Sequence, residues 1–202
     1  MRRNQPHCYL VPNQPAESFV SCSNNRQLLW EEVERFQTSL RNLFWQDSKQ
    51  KVLFCETTSC RQARMEVVPC PIQVQQDAAM YFRTSFMEEN NNDDATTTKL
   101  HKITAKQNLL QLPFRKRNSN EVFSYAYAEW EINEGYAQIM SPNNKNHNKQ
   151  DWLLGAIAAM LNVDPIRFNK HQNDDAISDE KASVWKFLQR WKDHDWTANA
   201  NC

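Results

Sequence analysis

Few side chains in this 202-residue chain could act on a phosphate bond. His7 is one of five histidines, and none of them lies between Cys8 and Leu100. Phosphate transfer through histidine needs one imidazole as nucleophile and further groups that orient it and protonate the leaving group. On a strand, His7 and Cys8 would point to opposite faces, so they cannot form a dyad. We therefore expect no catalytic residue, and the first half of the chain favours binding over catalysis.

Metal and cofactor chemistry also lack their usual residues. The six cysteines show no C-x-x-C spacing, and no histidine pair stands at the distance that zinc ligands need. The chain has only two glycines, Gly135 and Gly155, so it can build neither a phosphate-binding P-loop nor a dinucleotide-binding turn. We predict no metal and no cofactor, and we exclude ATPase, GTPase, kinase and NAD-dependent activities.

The charges balance, because 24 lysines and arginines face 24 aspartates and glutamates. A nucleic-acid surface would therefore need a local cluster of cations. The first residues do not form an apolar secretory signal, and no run approaches the ~20 apolar residues of a membrane helix. We expect a soluble intracellular protein with reduced cysteines and no membrane contact.

Cations gather in the middle of the chain. Arg115, Lys116 and Arg117 are adjacent, and Lys102 and Lys106 precede them. Adjacent cations in a loop can contact successive phosphates, so these five residues are candidates for RNA binding. The alternatives are a loop that its charges keep solvated and a contact with an acidic patch of another protein.

Aromatic and cationic residues alternate near the carboxyl end, as they do in proteins that bind single-stranded nucleic acid. Trp185, with its neighbour Lys186, and Trp196 are candidates for an exposed stacking platform. Trp191 shares an apolar helical stripe with Leu188, so we expect it in the core. The alternative for Trp185 and Trp196 is to cover an interface between domains.

Hydrophobic spacing predicts the elements that position these residues. The predicted strands lie at 8–11, 52–56, 63–68, 122–130 and 136–140, and the predicted helices lie after 25 and at 77–89, 151–162 and 179–192. Residues 133–135 are a turn signal, and Ser178 is expected to cap the last helix. Tyr125 and Tyr127 share one strand face, where they could stack on bases or pack in the core.

A polar, low-complexity stretch at 90–98 predicts a linker between two units. Strands and helices are mixed on both sides of it, which predicts an α+β fold. We place one domain at 1–92 and a second, small α+β domain at 99–202.

Short motifs follow one another in order along nearly the whole chain. They include His7-Cys8-Tyr9-Leu10-Val11-Pro12, Trp30-Glu31-Glu32-Val33, Glu66-Val67-Val68-Pro69-Cys70-Pro71, Gly135-Tyr136-Ala137, Ala158-Ala159-Met160-Leu161 and Trp191-Lys192-Asp193-His194-Asp195-Trp196-Thr197. Their order resembles the C-terminal region of the CwfJ family of splicing factors. That family combines a histidine-triad-like domain with a second conserved domain, so the resemblance implies that 1–92 is a degenerate histidine-triad-like domain.

The chain departs from the family pattern where histidines are expected. Gln62 stands in place of the histidine before the 66–71 motif, and the residues around Pro15 also lack one. The family's cysteine- and histidine-bearing segment upstream of His7 is missing, so we expect either a fragment or an N-terminus that docks on another subunit. A triad-like fold without its first strands would expose an unpaired sheet edge.

The resemblance implies a nuclear, non-catalytic factor of the late spliceosome. Its partners would be splicing proteins and small nuclear or intron RNA, and it would assist lariat debranching or spliceosome disassembly. One alternative is a residual nucleotide or phosphodiester hydrolase that uses another nucleophile. A second is an adaptor that touches only protein, for example the lariat debranching enzyme.

Overall fold

A computed structural model of the chain describes residues 8–16, 18–19, 27–58, 63–91, 99–104, 125–139, 150–163 and 174–199. The elements in these ranges are β1 (Cys8–Leu10), α1 (Gln27–Ser48), β2 (Lys51–Thr57), β3 (Met65–Cys70), α2 (Ile72–Asn91), β4 (Leu100–Ile103), β5 (Tyr125–Glu131), β6 (Glu134–Ile139), α3 (Gln150–Leu161), α4 (Asp174–Trp191) and a 3-10 turn (Trp196–Asn199). The predicted α+β class is confirmed. No helix in the described ranges is long and apolar enough to cross a membrane.

All six strands belong to one antiparallel sheet in the order β1-β3-β2-β5-β6-β4. The strands predicted at 52–56 and 63–68 pair with each other as β2 and β3, whereas the sequence analysis did not predict the pairing of β2 with β5. In this pairing Phe54 lies opposite Glu129 and Thr57 lies opposite Ala126. The predicted linker at 90–98 therefore separates two stretches of sequence whose strands share one sheet. The division into domains at 1–92 and 99–202 stays a prediction.

Helices cover both faces of the sheet. Because side chains alternate along a strand, each strand contributes to two separate cores. The core under α1 and α4 includes Val33, Leu40, Phe44, Phe54, Val67 and Tyr125, with Phe187 and Trp191 of α4 packed against it. The core under α2 and α3 includes Leu53, Val68, Ala78, Phe82, Phe86, Ala128, Trp130, Leu153 and Ile157. The result is three layers, helix on sheet on helix.

The long helices carry the apolar stripes that the sequence predicts. Val33, Leu40 and Leu43 of α1 are buried, and so are Ala78 and Phe82 of α2. Helix α2 begins five residues earlier than predicted, at Ile72. Apolar and polar residues alternate in its first turn, so the helical period is not visible in the sequence there. The backbone amide of Gln75 nevertheless donates a hydrogen bond to the carbonyl of Pro71, at 3.2 Å.

Two local predictions in the second half are wrong. Helix α4 begins at Asp174, so Ser178 lies inside it and cannot be its N-cap. The β5–β6 turn consists of Ile132 and Asn133, with Asn133 at a φ of 61°, and Gly135 belongs to β6. A side chain at Gly135 would place a Cβ 2.5 Å from the carbonyl oxygen of Ala128, so this glycine permits close strand approach rather than a turn.

Two buried carboxylates lie in the core under α1. Glu129 is fully buried, pairs with Arg41 of α1 and accepts a hydrogen bond from the Tyr127 hydroxyl. Glu56 accepts hydrogen bonds from the Tyr125 hydroxyl at 2.6 Å and from the backbone amide of Phe19 at 2.9 Å. Both tyrosines are 1 % exposed, so they cannot stack on bases and that alternative is wrong.

Burial shifts the pKa values of two groups in the core under α1. It raises the pKa of Glu56 to about 7, although the two donors to its carboxylate oppose the shift. Burial, together with the charge of Glu129, raises the pKa of Tyr127 well above its ordinary value. The phenol of Tyr127 therefore stays protonated and keeps donating to Glu129.

The Arg41–Glu129 pair gives a stability prediction. Arg41→Ala leaves the Glu129 carboxylate buried without its cation, which should lower the free energy of unfolding by about 3–5 kcal/mol. Urea denaturation measures this loss. The matched control is Arg190→Ala, which removes a half-exposed pair with Asp47 at 3.2 Å and should cost about 0–1 kcal/mol. Equal losses in the two variants would contradict the assigned role of Arg41.

Glu56 gives a pH prediction. Its folded pKa of about 7 lies above its ordinary 4.5, so its stabilising contribution is complete below pH 4.5 and is lost as the pH rises to about 7. The free energy of unfolding should fall by about 3 kcal/mol across this window. Glu56→Gln, which cannot ionise, should lack this component when both proteins are denatured in urea at several pH values. Parallel pH profiles would contradict the assignment.

Candidate nucleic-acid interface

The central cation cluster of the sequence analysis falls largely outside the part of the chain that the structure describes. This applies to Lys106, Arg115, Lys116 and Arg117. Lys102 is described, is exposed and lies on the edge strand β4. Because side chains alternate along a strand, the Lys102 side chain lies on the same sheet face as that of Leu100, which packs with the core under α2 and α3.

Trp185 and Lys186 lie on α4, which packs on the opposite face of the sheet from the Lys102 side chain. Trp185 is 64 % exposed, as the platform prediction requires. Leu188 is 49 % exposed rather than in the core, and Val184 is similar, so the predicted apolar stripe of α4 is turned partly to solvent. Lys102 and the α4 residues therefore do not form one continuous surface.

The ring of Trp196 is covered by neighbouring side chains rather than exposed to solvent as a platform. Its ring centroid lies 5.2 Å from that of Phe36, and the guanidinium carbon of Arg35 lies 5.3 Å above the ring. Trp191 stacks on the same Phe36 at 6.0 Å. The aromatic residues near the carboxyl end thus hold α1 against α4. This agrees with the alternative that Trp196 covers an interface.

One exposed tryptophan with cations beside it was not singled out from the sequence. Trp45, near the end of α1, is 42 % exposed. The ammonium of Lys49 lies 5.5 Å and that of Lys51 lies 5.7 Å from its ring centroid. A tryptophan followed at four and six residues by lysines is the signal that could have found this cluster, because one helical turn brings positions four apart together.

A small polar pocket opens on the α3 side of the sheet. It is lined by Cys55, Thr57, Arg64, Glu66 and Leu153 and contains about 230 Å³ of empty space, including open solvent. Pockets that bury a small-molecule ligand usually hold roughly 300–1,000 Å³. The space is thus too small to enclose a nucleotide.

The thiols of Cys55, which lines this pocket, and of Cys70 in the same core are poorly suited to nucleophilic attack. Burial raises the pKa of Cys55 well above its ordinary value and that of Cys70 to about 12. A thiol reacts as its thiolate, which these two cysteines do not form near neutral pH. Among the described residues, no group of three or more potential ligands could hold a metal ion.

Comparison with protein families gives two matches in the order that the sequence predicts. Residues 2–83 match the family described as "Protein similar to CwfJ C-terminal", and residues 93–197 match "Protein similar to CwfJ C-terminus 2". The second match alone spans more than half of the chain. The chain belongs to the CwfJ family. A search of curated proteins finds no match.

Membership in the CwfJ family suggests a splicing-related factor, and such a factor implies a nuclear location. The first matched segment ends within α2 and the second begins just after this helix, and the β2–β5 pairing joins strands of both segments in one sheet. The histidine-triad-like character of the first segment stays a prediction.

The contrast between Trp196 and Trp185 gives a third prediction. Trp196→Ala removes a ring that packs on Phe36 and should lower the free energy of unfolding by about 2 kcal/mol. Trp185→Ala truncates a ring that is mostly in solvent and should change it by less than about 0.5 kcal/mol. Thermal or urea denaturation separates the two. A larger loss at Trp185 would mean that α4 uses this ring for packing.

Proposed function

We propose that this CwfJ-family protein is a non-catalytic factor of the late, intron-lariat stage of splicing. It contacts RNA and splicing proteins in the nucleus and assists lariat debranching or disassembly of the spliceosome. The observation that carries the proposal is the pair of family matches, which together cover residues 2–83 and 93–197.

The side chains of β3 support a role without catalysis. Met65 and Val67 are buried in the core under α1, and Val68 and Cys70 are buried under α2. The motif that holds these residues is the one before which the family pattern places a histidine, and no imidazole stands on it. Together with the protonated thiols of Cys55 and Cys70, this argues against attack on phosphate by an imidazole or a thiolate from the described part of this motif and pocket.

The surface of α4 supports contact with a protein. Trp185 is bordered by Val184 and Leu188, which are each about half exposed. Tryptophan is enriched among the residues that dominate binding energy at protein interfaces, and half-exposed aliphatic neighbours give it an apolar border. This stripe is the observation that favours the second candidate function, an adaptor that touches only protein.

The cation cluster separates the two functions. Charge reversal of Arg115, Lys116 and Arg117 should remove phosphate contacts, so RNA crosslinking in purified late spliceosomes should fall several-fold. A charge reversal at Arg83, an exposed cation on α2, serves as the control and should leave crosslinking unchanged. Sequencing the crosslinked RNA should recover spliceosomal RNAs and lariat introns.

Each other outcome has a definite meaning. Undiminished crosslinking in the triple variant would mean that RNA is contacted elsewhere on the protein, whereas absence of RNA crosslinks to the unaltered protein would favour the protein-only adaptor. Recovery of neither spliceosomal RNA nor lariat introns with the unaltered protein would contradict the proposed function. Turnover of branched RNA or dinucleoside polyphosphates by the purified protein, above that of a Cys55→Ala, Cys70→Ala variant, would restore the hydrolase alternative.

A further inference from the structure

The end of α1 carries an aromatic ring and two cations in a fixed arrangement. Trp45 lies in the last turn of the helix, Lys49 directly follows the helix and Lys51 begins β2. The two ammonium groups lie 5.5 Å and 5.7 Å from the indole centroid. Because all three residues belong to one helix-to-strand connection, their arrangement does not depend on a distant loop.

The backbone at Lys49 is held in an unusual conformation. Its φ is 54°, in the left-handed region that favours glycine, and its amide donates to the Trp45 carbonyl at 3.1 Å to close the helix. Glycine would make the same turn at a lower conformational cost. The turn itself therefore does not require the lysine side chain, whose ammonium lies over the Trp45 ring.

The two lysines differ in their partners. Lys51 pairs with Glu131 at 3.1 Å, and the same carboxylate oxygen accepts a hydrogen bond from Gln75, so the Lys51 head group is fixed. Lys49 forms no ion pair with an acid in the described part of the chain, and nearby Asp47 pairs with Arg190. The connection thus holds one neutralised cation and one whose charge is available to a ligand.

We propose that Trp45, Lys49 and Lys51 form a binding site for one nucleotide of single-stranded RNA. The base stacks on the exposed part of the indole, the Lys49 ammonium contacts the adjacent phosphate, and Lys51 holds the edge of the site. This site rests on the proposed contact with RNA and gives that contact a position.

The surroundings of the ring favour RNA over a protein ligand. The ammonium groups of Lys49 and Lys51 both lie over the ring of Trp45, whereas no such contact is seen at Trp185 among the described residues. A flat ring beside a cation suits an unstacked base and its phosphate. A duplex keeps its bases stacked and offers no base face to a single ring, so the site selects single strands.

The test is fluorescence anisotropy of a labelled ten-nucleotide oligouridine with the full chain. Trp45→Ala removes the ring on which one base stacks, so the dissociation constant should rise about 5- to 150-fold. Trp45→Phe keeps an aromatic ring and should retain much of the affinity. The matched control is Tyr81→Ala, which removes an aromatic ring of similar exposure, 39 %, from α2. This control should bind as the unaltered protein does.

Substitution of Lys49 tests the phosphate contact separately. Lys49→Gly should weaken binding and lower the dependence of log K on log salt by about 0.7, the value for one phosphate contact on a single strand. Its thermal midpoint should not fall, because glycine relieves the left-handed backbone. Lys49→Arg keeps the charge and should keep the salt dependence.

The outcomes separate this site from the broader proposal. If the unaltered protein binds the oligonucleotide and Trp45→Ala binds equally well, the site is wrong and the RNA contact lies elsewhere. If the unaltered protein does not bind, both the site and direct RNA contact are wrong. Should Trp45→Ala unfold, Lys49→Gly and Trp45→Phe decide the question, and unchanged affinity and salt dependence in Lys49→Gly overturn the site.

Discussion

The pairing of β2 with β5 is the interaction on which the rest of the structure depends. It joins strands from the two CwfJ segments in one sheet, with Phe54 opposite Glu129 and Cys55 opposite Ala128. Glu129 then meets Arg41 of α1, so a buried ion pair also links the second segment to a helix of the first. Removal of either partner would leave a buried charge without its counter-ion, so this ion pair stabilises α1 in its position on the sheet.

This arrangement determines where polar chemistry occurs. The ionisable groups of the core under α1 are engaged in internal hydrogen bonds, as Glu56 is with Tyr125. The thiols of the other core are protonated by burial. At the surface, two ammonium groups lie over the ring of Trp45 at the end of α1, and Trp185 of α4 is mostly exposed. A rigid interior with these two exposed rings is compatible with the proposed scaffold that bridges RNA and protein.

Local periodicity predicts most of the elements but not their assembly. The stripes of α1 and α2, the β2–β3 hairpin and the second hairpin could all be predicted, because each depends on neighbours in sequence. The β2–β5 register could not, since nothing local relates residues 54 and 129. Ser178 was misjudged as a cap because serine followed by acids resembles a helix start even one turn inside a helix. Tyr125 alternates as a half-exposed strand residue would, and only the helices on both faces reveal that it is buried.

The candidate site was predicted in part. Trp185 was predicted as part of an exposed platform and is exposed, whereas the cover over Trp196 depends on Phe36, which is far away in sequence. The Trp45 cluster was missed because its residues span a helix end, and the left-handed turn at Lys49 that leads to Lys51 is one that a glycine usually marks. The most direct test of a non-catalytic RNA-contacting scaffold is to map nucleotide crosslinks on this protein in purified late spliceosomes by mass spectrometry. The account predicts crosslinked peptides that contain residues 45–51 or 115–117, and crosslinks confined to the Cys55–Glu66 pocket would contradict it.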